Sequence, residues 1–149
     1  MRTVVQRVTE ASVTVDGIEI GRIGKGFMAL IGVGTGDSEI EAQYLADKVA
    51  KLRVFEDNEG KMNLSLPEVR GAVLAISQFT LYGDARKGNR PGFTDAAPPQ
   101  KAEFLYEFFI AALERHGIPV KKGKFGAMMK VHLINDGPVT IILDSSKLF

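Results

Sequence analysis

Valines at positions 4, 5, 8, 13 and 15 are interleaved with polar residues, and Asp16-Gly17 follows at once. β-Branched side chains in such a pattern fit a half-buried strand, and Asp-Gly favours a tight hairpin turn. Ile18 to Ile23 is then the returning strand. The residues that follow have to cover a sheet.

Gly24-Lys25-Gly26 marks a second turn, and Phe27 to Val33 reads as a buried strand. Ser38 and Glu41 form a capping-box pair, so a helix starts there, with Ile40, Tyr44, Leu45, Val49 and Leu52 on one face. Leu52 to Phe55 is a short strand ending in the turn Asp57-Asn58-Glu59-Gly60, and Ala72 to Ser77 is another strand. Tyr82 to Pro99 is long and rich in Gly and Pro; a loop of that length in a compact domain is often functional. A second helix starts at Pro98-Pro99, presents Phe104, Leu105, Phe108, Phe109, Ala112 and Leu113, and stops at Gly117 and Pro119. Strands are predicted over 120–124, 128–134 and 139–143. The order predicts an α/β fold: a single layered domain over residues 1–149 with mixed β-sheets and two main helices. A chain of 149 residues buries roughly two thirds of its unfolded surface, enough for a core without staples.

The chain has no Cys, which removes disulfides, thiolate nucleophiles, Fe–S clusters and Cys-based zinc sites. Met1 to Glu10 carries Arg2 and Arg7 but no following apolar region of the secretory kind. Apolar runs such as Phe27 to Val33 and Phe108 to Leu113 fall far short of the ~20 residues a membrane helix needs. A cytoplasmic protein without membrane contact is expected.

Charge is uneven. Residues 1–75 hold 9 basic and 11 acidic side chains, net −2, and residues 76–149 hold 10 and 7, net +3. Arg86, Lys87 and Arg90 form one basic cluster. Lys121, Lys122 and Lys124 lie in a stretch from Arg115 to Asn135 that has no acid. Such clusters are either a solvated face or a surface for a polyanion.

Several familiar chemistries fail. Gly32-Val33-Gly34-Thr35-Gly36 lacks the Gly-Lys-Ser/Thr ending of a phosphate loop and reads as a strand-to-helix turn. His116 and His132 are the only histidines and lack metal-ligand spacing. No metal or cofactor is expected. Two segments remain. Ser77-Gln78-Phe79-Thr80 ends an apolar strand and sets hydroxyls and an amide beside the long loop. It serves either as strand-end capping with Phe79 in the core or as an edge that presents donors to a carbonyl. Asn135-Asp136-Gly137-Pro138-Val139-Thr140 carries a turn signal, with a trans Gly-Pro bond as the default.

At these two segments the sequence resembles the D-aminoacyl-tRNA deacylases, the chirality-editing enzymes of translation. Ser77-Gln78-Phe79-Thr80 and Gly137-Pro138-Val139-Thr140 are similar to the family's two signature motifs. The likeness runs on through Val4 to Val15, Leu52 to Asp57, Gly88-Asn89-Arg90-Pro91-Gly92-Phe93, Asp95 to Pro98 and Phe125-Gly126-Ala127. Met128 departs from it, since many members carry Asp there. The resemblance implies a homodimer with active sites at the interface, where the first motif of one subunit faces a cis Gly137-Pro138 turn from the other. It implies tRNA as partner, bound at its 3′ aminoacyl end, with no DNA.

The implied reaction is hydrolysis of the ester between a D-amino acid and the terminal ribose of tRNA. Backbone N–H groups at Phe79 and Thr80, with the Gln78 side chain, are candidates to hold the oxyanion. Thr80 is either a nucleophile or a group that orients water; no His or Cys in either motif activates it, which favours direct hydrolysis. Carbonyl oxygens of Gly137 and Pro138 would accept from the substrate ammonium, and the backbone there would exclude an L side chain. Glycyl-tRNA should then also be cleaved. Arg86, Lys87, Arg90, Lys121, Lys122 and Lys124 are the candidates for phosphate contacts. Two other readings compete: a non-catalytic nucleic-acid-binding module, and a general esterase, against which the lack of a nucleophile elbow counts.

Overall fold

The computed structural model describes residues 1–149. In chain order it contains β1 (Arg2–Val15), β2 (Ile18–Ile23), β3 (Gly26–Gly32), α1 (Glu39–Lys51), β4 (Phe55–Glu56), β5 (Met62–Leu64) and β6 (Ala72–Ser77). A single 3-10 turn (Phe79–Tyr82), α2 (Pro99–Arg115), β7 (Val120–Lys122) and β8 (Lys130–Asp144) complete it. Asp16 and Gly17 both adopt positive φ, 50° and 76°, as the expected hairpin requires.

The main sheet runs β2-β1-β3-β6-β7, with β8 on β1. β1 is long enough to serve two partners along one edge. Arg2 to Val8 pairs with β3, and Ala11 to Val15 pairs with β2. β8 pairs along its other edge. These pairs are antiparallel, whereas β3–β6 and β6–β7 are parallel. Parallel neighbours need crossovers, and α1 and α2 lie in those two connections. β4 and β5 form a small separate hairpin. The sheet curls so far that a Cβ at Gly21 on β2 would lie 3.3 Å from the Lys122 carbonyl on β7.

Strand period two sorts the core. Phe27, Ala29, Ile31, Val73 and Ala75 join Leu45, Val49, Phe109 and Leu113 of the helices in the larger cluster. Met28, Leu74 and Ile76 point the other way and pack with Val8, Val13 and Ile23 inside the curl. β3 and β6 are therefore covered on both faces, as their continuous apolar runs require. The Tyr106 hydroxyl, buried in α2, donates to the Ala75 carbonyl at 2.8 Å.

Three expectations change. The capping box forms, with Ser38 N–H donating to Glu41 Oε2 at 2.7 Å. The buried face of α1 is nevertheless Ala42, Leu45, Ala46, Val49 and Ala50, and Ile40 is 77% exposed. Small alanines let α1 approach its neighbours closely, which rotates the seam away from Ile40. Phe104 likewise faces outward, off the row formed by Ala102, Leu105, Tyr106, Phe109 and Leu113. The third change matters most. The strands expected at 128–134 and 139–143 are one strand, β8. Gln6 pairs with Thr140 and Val8 with Asn135, so two steps on β1 match five on β8. The excess is extruded at residues 136–138, all exposed. Asn-Asp-Gly-Pro therefore makes a bulge within a strand and not a chain reversal.

Candidate active site

β6 ends at Ser77, and the chain tightens directly into the 3-10 turn Phe79–Tyr82. The turn sits on bare backbone. A Cβ at Gly32 would come within 3.0 Å of the Gln78 carbonyl and of Leu81 Cβ, and one at Gly34 would lie 2.8 Å from the Tyr82 phenolic oxygen. The glycine-rich segment after β3 thus does more than turn the chain: it receives Ser77–Tyr82. The Gln78 N–H extends the β3–β6 ladder by donating to the Ile31 carbonyl at 2.7 Å.

Within the turn, Gln78 Nε2 donates to the Thr80 hydroxyl oxygen. That leaves the hydroxyl proton of Thr80 free to be donated elsewhere. The first bond of the turn runs from the Leu81 N–H to the Gln78 carbonyl, so the turn itself does not consume the N–H groups of Phe79 and Thr80. Phe79 is 55% exposed and meets Phe93 edge-on, with centroids 5.1 Å apart.

Ser77 and Phe79 line a cleft of about 600 Å³ with Phe93, Pro98, Phe125, Met128 and Met129. Its walls come from the end of β6, the loop before α2, the start of α2 and the segment between β7 and β8. Most of the lining is apolar, so the cleft suits a flat or hydrophobic group with polar recognition at one edge.

The second motif is built differently. The Gly137-Pro138 peptide bond is cis, and Gly137 has φ 141°. Asn135 spans the bulge: its Oδ1 accepts from the Val139 N–H at 2.7 Å, and its Nδ2 donates to the Val139 carbonyl at 3.1 Å and the Thr140 hydroxyl at 3.2 Å. Arg7 supports it from β1. Arg7 Nε donates to the Asp136 carbonyl at 2.8 Å and Nη1 to the Val54 carbonyl at 2.6 Å. Neither Gly137 nor Pro138 lines the cleft beside Ser77 and Phe79. Within one chain the two motifs stand apart.

The basic candidates divide. Arg86 forms a two-pronged pair with Asp84, at 2.9 and 2.7 Å. The Arg86 hydrogen bonds hold the Asp84 carboxyl far below the usual carboxylate range. Lys122 pairs with Glu107 at 2.8 Å. Lys87, Arg90, Lys121 and Lys124 are exposed. Arg90 precedes Phe93 by three residues and Lys124 adjoins Phe125 in sequence, but neither lines the cleft. The histidines pair elsewhere, His116 with Asp47 at 2.7 Å and His132 with Glu10 at 3.4 Å. No three His, Cys, Asp or Glu side chains gather as a metal site. No helix is long and apolar enough to cross a membrane.

Sequence reasoning named Asn135 only as part of a turn, and it gave no role to Arg7 or to the apolar lining from Phe93 and Met129. Arg7 left a signal: an arginine within a valine-rich strand, now only 7% exposed. The cleft left none, because its walls come from segments far apart in sequence.

The family model for D-Tyr-tRNA(Tyr) deacylase matches residues 4–144. A D-aminoacyl-tRNA deacylase of Thermotoga petrophila is 58% identical over 149 residues, covering 100% of both chains. The solved structure of a c-Myc DNA Unwinding Element Binding Protein is similar at TM-score 0.90 and 45% identity, over 97% of this chain and 98% of that one. A solved structure described as a probable eukaryotic D-amino acid tRNA deacylase shares the fold, with TM-score 0.81 at 18% identity over 95% and 97% of the two chains.

Proposed function

This chain belongs to the D-Tyr-tRNA(Tyr) deacylase family of hydrolases, and from that premise we propose that it cleaves D-aminoacyl-tRNA by direct attack of water on the ester, rejecting L substrates by backbone exclusion. The observation that carries the reading is the Ser77–Tyr82 turn set at the edge of an apolar cleft, with Gln78 Nε2 donating to Thr80. The terminal nucleoside would occupy the cleft, and the ester would lie over the turn.

Attack turns the planar ester carbonyl into a tetrahedral oxyanion. The N–H groups of Phe79 and Thr80 and the Gln78 amide are the donors near which that charge would develop. Thr80, with its oxygen already accepting from Gln78, can donate to the attacking water or to the ester. No base touches its hydroxyl; both histidines pair with carboxylates elsewhere. Direct hydrolysis, assisted by the substrate's own amino or ribose hydroxyl groups, fits this arrangement better than acylation of Thr80. No step calls on a metal or cofactor.

Chirality would be read by a second copy of the chain. Gly137 and Pro138 protrude from β8, which pairs only with β1 and presents Ile134 and Ile142 half-exposed. An open strand edge with apolar side chains is a surface for association. In a homodimer built on it, Gly137 and Pro138 of one subunit would meet the cleft of the other. Their carbonyl oxygens would accept from the substrate ammonium, leaving no room for an L side chain at the α-carbon. Glycine has no side chain to exclude, so glycyl-tRNA would be cleaved too. The enzyme would act on tRNA in the cytoplasm, with Lys87, Arg90, Lys121 and Lys124 meeting phosphates and Arg86 and Lys122 contributing less through their acidic partners.

The deciding assay is hydrolysis of D-tyrosyl-tRNA, L-tyrosyl-tRNA and glycyl-tRNA in EDTA at equal enzyme. Loss of the D and glycyl esters with retention of the L ester is expected. Cleavage of both enantiomers would remove backbone exclusion, and resistance of glycyl-tRNA would do the same. A monomer by light scattering at assay concentration would remove the shared site. A DNA-binding reading draws on the description of the 45% identical structure. It would be favoured if duplex DNA bound tightly while D-tyrosyl-tRNA stayed intact.

A further inference from the structure

Arg2 carries three interactions that converge behind the Ser77–Tyr82 turn. Its Nη1 donates to the Leu81 carbonyl at 3.0 Å, and its guanidinium carbon lies 4.6 Å from the centre of the Tyr82 ring. Its Nε donates to Asp144 Oδ2 at 2.9 Å. The Asp144 side chain is 3% exposed, and its other oxygen accepts from the Ser146 N–H at 2.6 Å. A carboxylate so enclosed is fixed, and it fixes Arg2 in turn.

The turn has few other restraints. It is four residues long, and the bonds that tie its ends are Leu81 N–H to Gln78 at 3.3 Å and Gly83 N–H to Thr80 at 2.9 Å. Phe79 and Thr80 are exposed. One side rests on Gly32 and Gly34, where there is backbone but no side chain to grip it. On that same side the Tyr82 hydroxyl reaches Asp37 Oδ2 at 3.4 Å, a weak contact; Asp37 Oδ2 is held more firmly by the Gly34 N–H at 2.6 Å. Arg2 therefore supplies the strongest side-chain hold on the C-terminal half of the turn, through a planar fork that a lysine cannot reproduce.

We infer that Arg2, oriented by Asp144, is a positioning residue for hydrolysis: it presses Leu81 and Tyr82 onto Gly32 and Gly34 and so sets where the Phe79 and Thr80 donors point. This rests on the reading of that turn as the reactive element. Arg2 need not touch substrate. A misplacement of the donors by a fraction of an ångström weakens their hold on the transition state more than it weakens ground-state binding.

The test compares wild type with Arg2→Met and Arg2→Lys, using D-tyrosyl-tRNA hydrolysis and amide hydrogen exchange at Leu81 and Gly83. For Arg2→Met we expect kcat to fall at least about 10-fold with KM changed less than about 2-fold, and exchange at both amides to accelerate. Arg2→Lys should restore charge but neither kcat nor protection. A kcat within about 2-fold of wild type in a folded Arg2→Met protein overturns the proposal. A rise in KM alone, abolished at high salt and rescued by Lys, also overturns it and makes Arg2 a phosphate contact. Unchanged exchange at Leu81 and Gly83 overturns it whatever the rates. Should wild type not hydrolyse the ester, the functional reading fails, and exchange still decides whether Arg2 holds the turn.

Discussion

Arg7 donates from Nε to the carbonyl oxygen of Asp136 at 2.8 Å, so a buried guanidinium on β1 holds the residue just before Gly137-Pro138. No carboxylate is among its hydrogen-bond partners; the Val54 and Asp136 carbonyls accept from it instead. Arg7→Met removes the donor and leaves the Val54 carbonyl unpaired in the interior, a loss of about 1–3 kcal/mol. Thermal unfolding should report that loss. Deacylation should fall further than the unfolded fraction explains, because the bulge loses its support. Normal activity at a temperature where the variant is fully folded would show that Asn135 suffices.

Gly137→Ala tests the same bulge from its centre. At φ 141° an L side chain is strained, and the added methyl would lie 2.8 Å from Val139 Cγ2 and 3.0 Å from the Val139 nitrogen. The residue is exposed, so the core is untouched. We expect a cooperative unfolding transition within about 2 kcal/mol of wild type and a loss of deacylation of at least about 10-fold. Full activity would mean that the backbone at this point makes no demand on substrate.

Thr80→Ala separates two mechanisms. Removing a hydroxyl that only orients water or the ester should cost less than about 100-fold in kcat. Removing a covalent nucleophile should cost on the order of 10⁴-fold or more. Single-turnover hydrolysis of D-tyrosyl-tRNA measures the difference. We expect the smaller loss, since Thr80 Oγ1 meets Gln78 and no base.

Elements whose evidence is local were legible. The β1–β2 hairpin, the Ser38–Glu41 cap and the Pro99 start of α2 each follow from a few neighbouring residues. The strand Ala72–Ser77 did as well. What depends on distant partners was not. Ile40 and Phe104 fit helical periodicity, yet both face outward, because the buried rows of their helices run through other residues. Asn135-Asp136-Gly137-Pro138 has turn chemistry, but only pairing with β1 decides between a reversal and a bulge. Gly32 and Gly34 had no visible use until Gln78, Leu81 and Tyr82 came to rest on them. The family resemblance picked out the two motifs and left Arg2, Arg7 and the Phe93–Met129 cleft to the structure.

Lys121 and Lys122 are adjacent but not equivalent. Lys122 is engaged by Glu107 at 2.8 and 3.0 Å, whereas Lys121 is exposed on β7 and pairs with no carboxylate. If both face tRNA, Lys121→Ala should reduce the slope of log affinity against log salt by about 0.7–0.9, the loss of one phosphate contact. Lys122→Ala should change it less, because Glu107 already offsets that charge. Titration of uncharged tRNA over a salt series reads the slopes. Equal slopes for wild type and both variants would place the tRNA elsewhere.

Asp47 and His116 join α1 to the end of α2, with Nε2 and Oδ1 2.7 Å apart. The His116 hydrogen bond holds the Asp47 carboxyl below its ordinary value; desolvation opposes this, and Gln43 adds a second hydrogen bond at 2.9 Å. A carboxyl depressed in the folded state contributes stability that is present above the unfolded value of about 3.9 and disappears as pH falls through the lower folded one. The pair is partly exposed, so solvent limits the effect to about 1 kcal/mol. Asp47→Asn should therefore be less stable than wild type in urea at pH 5.5, and the gap should close as the pH is taken below 3.9 toward the folded value. A gap that stayed constant across that interval would assign the difference to packing between the helices and not to the charge on Asp47.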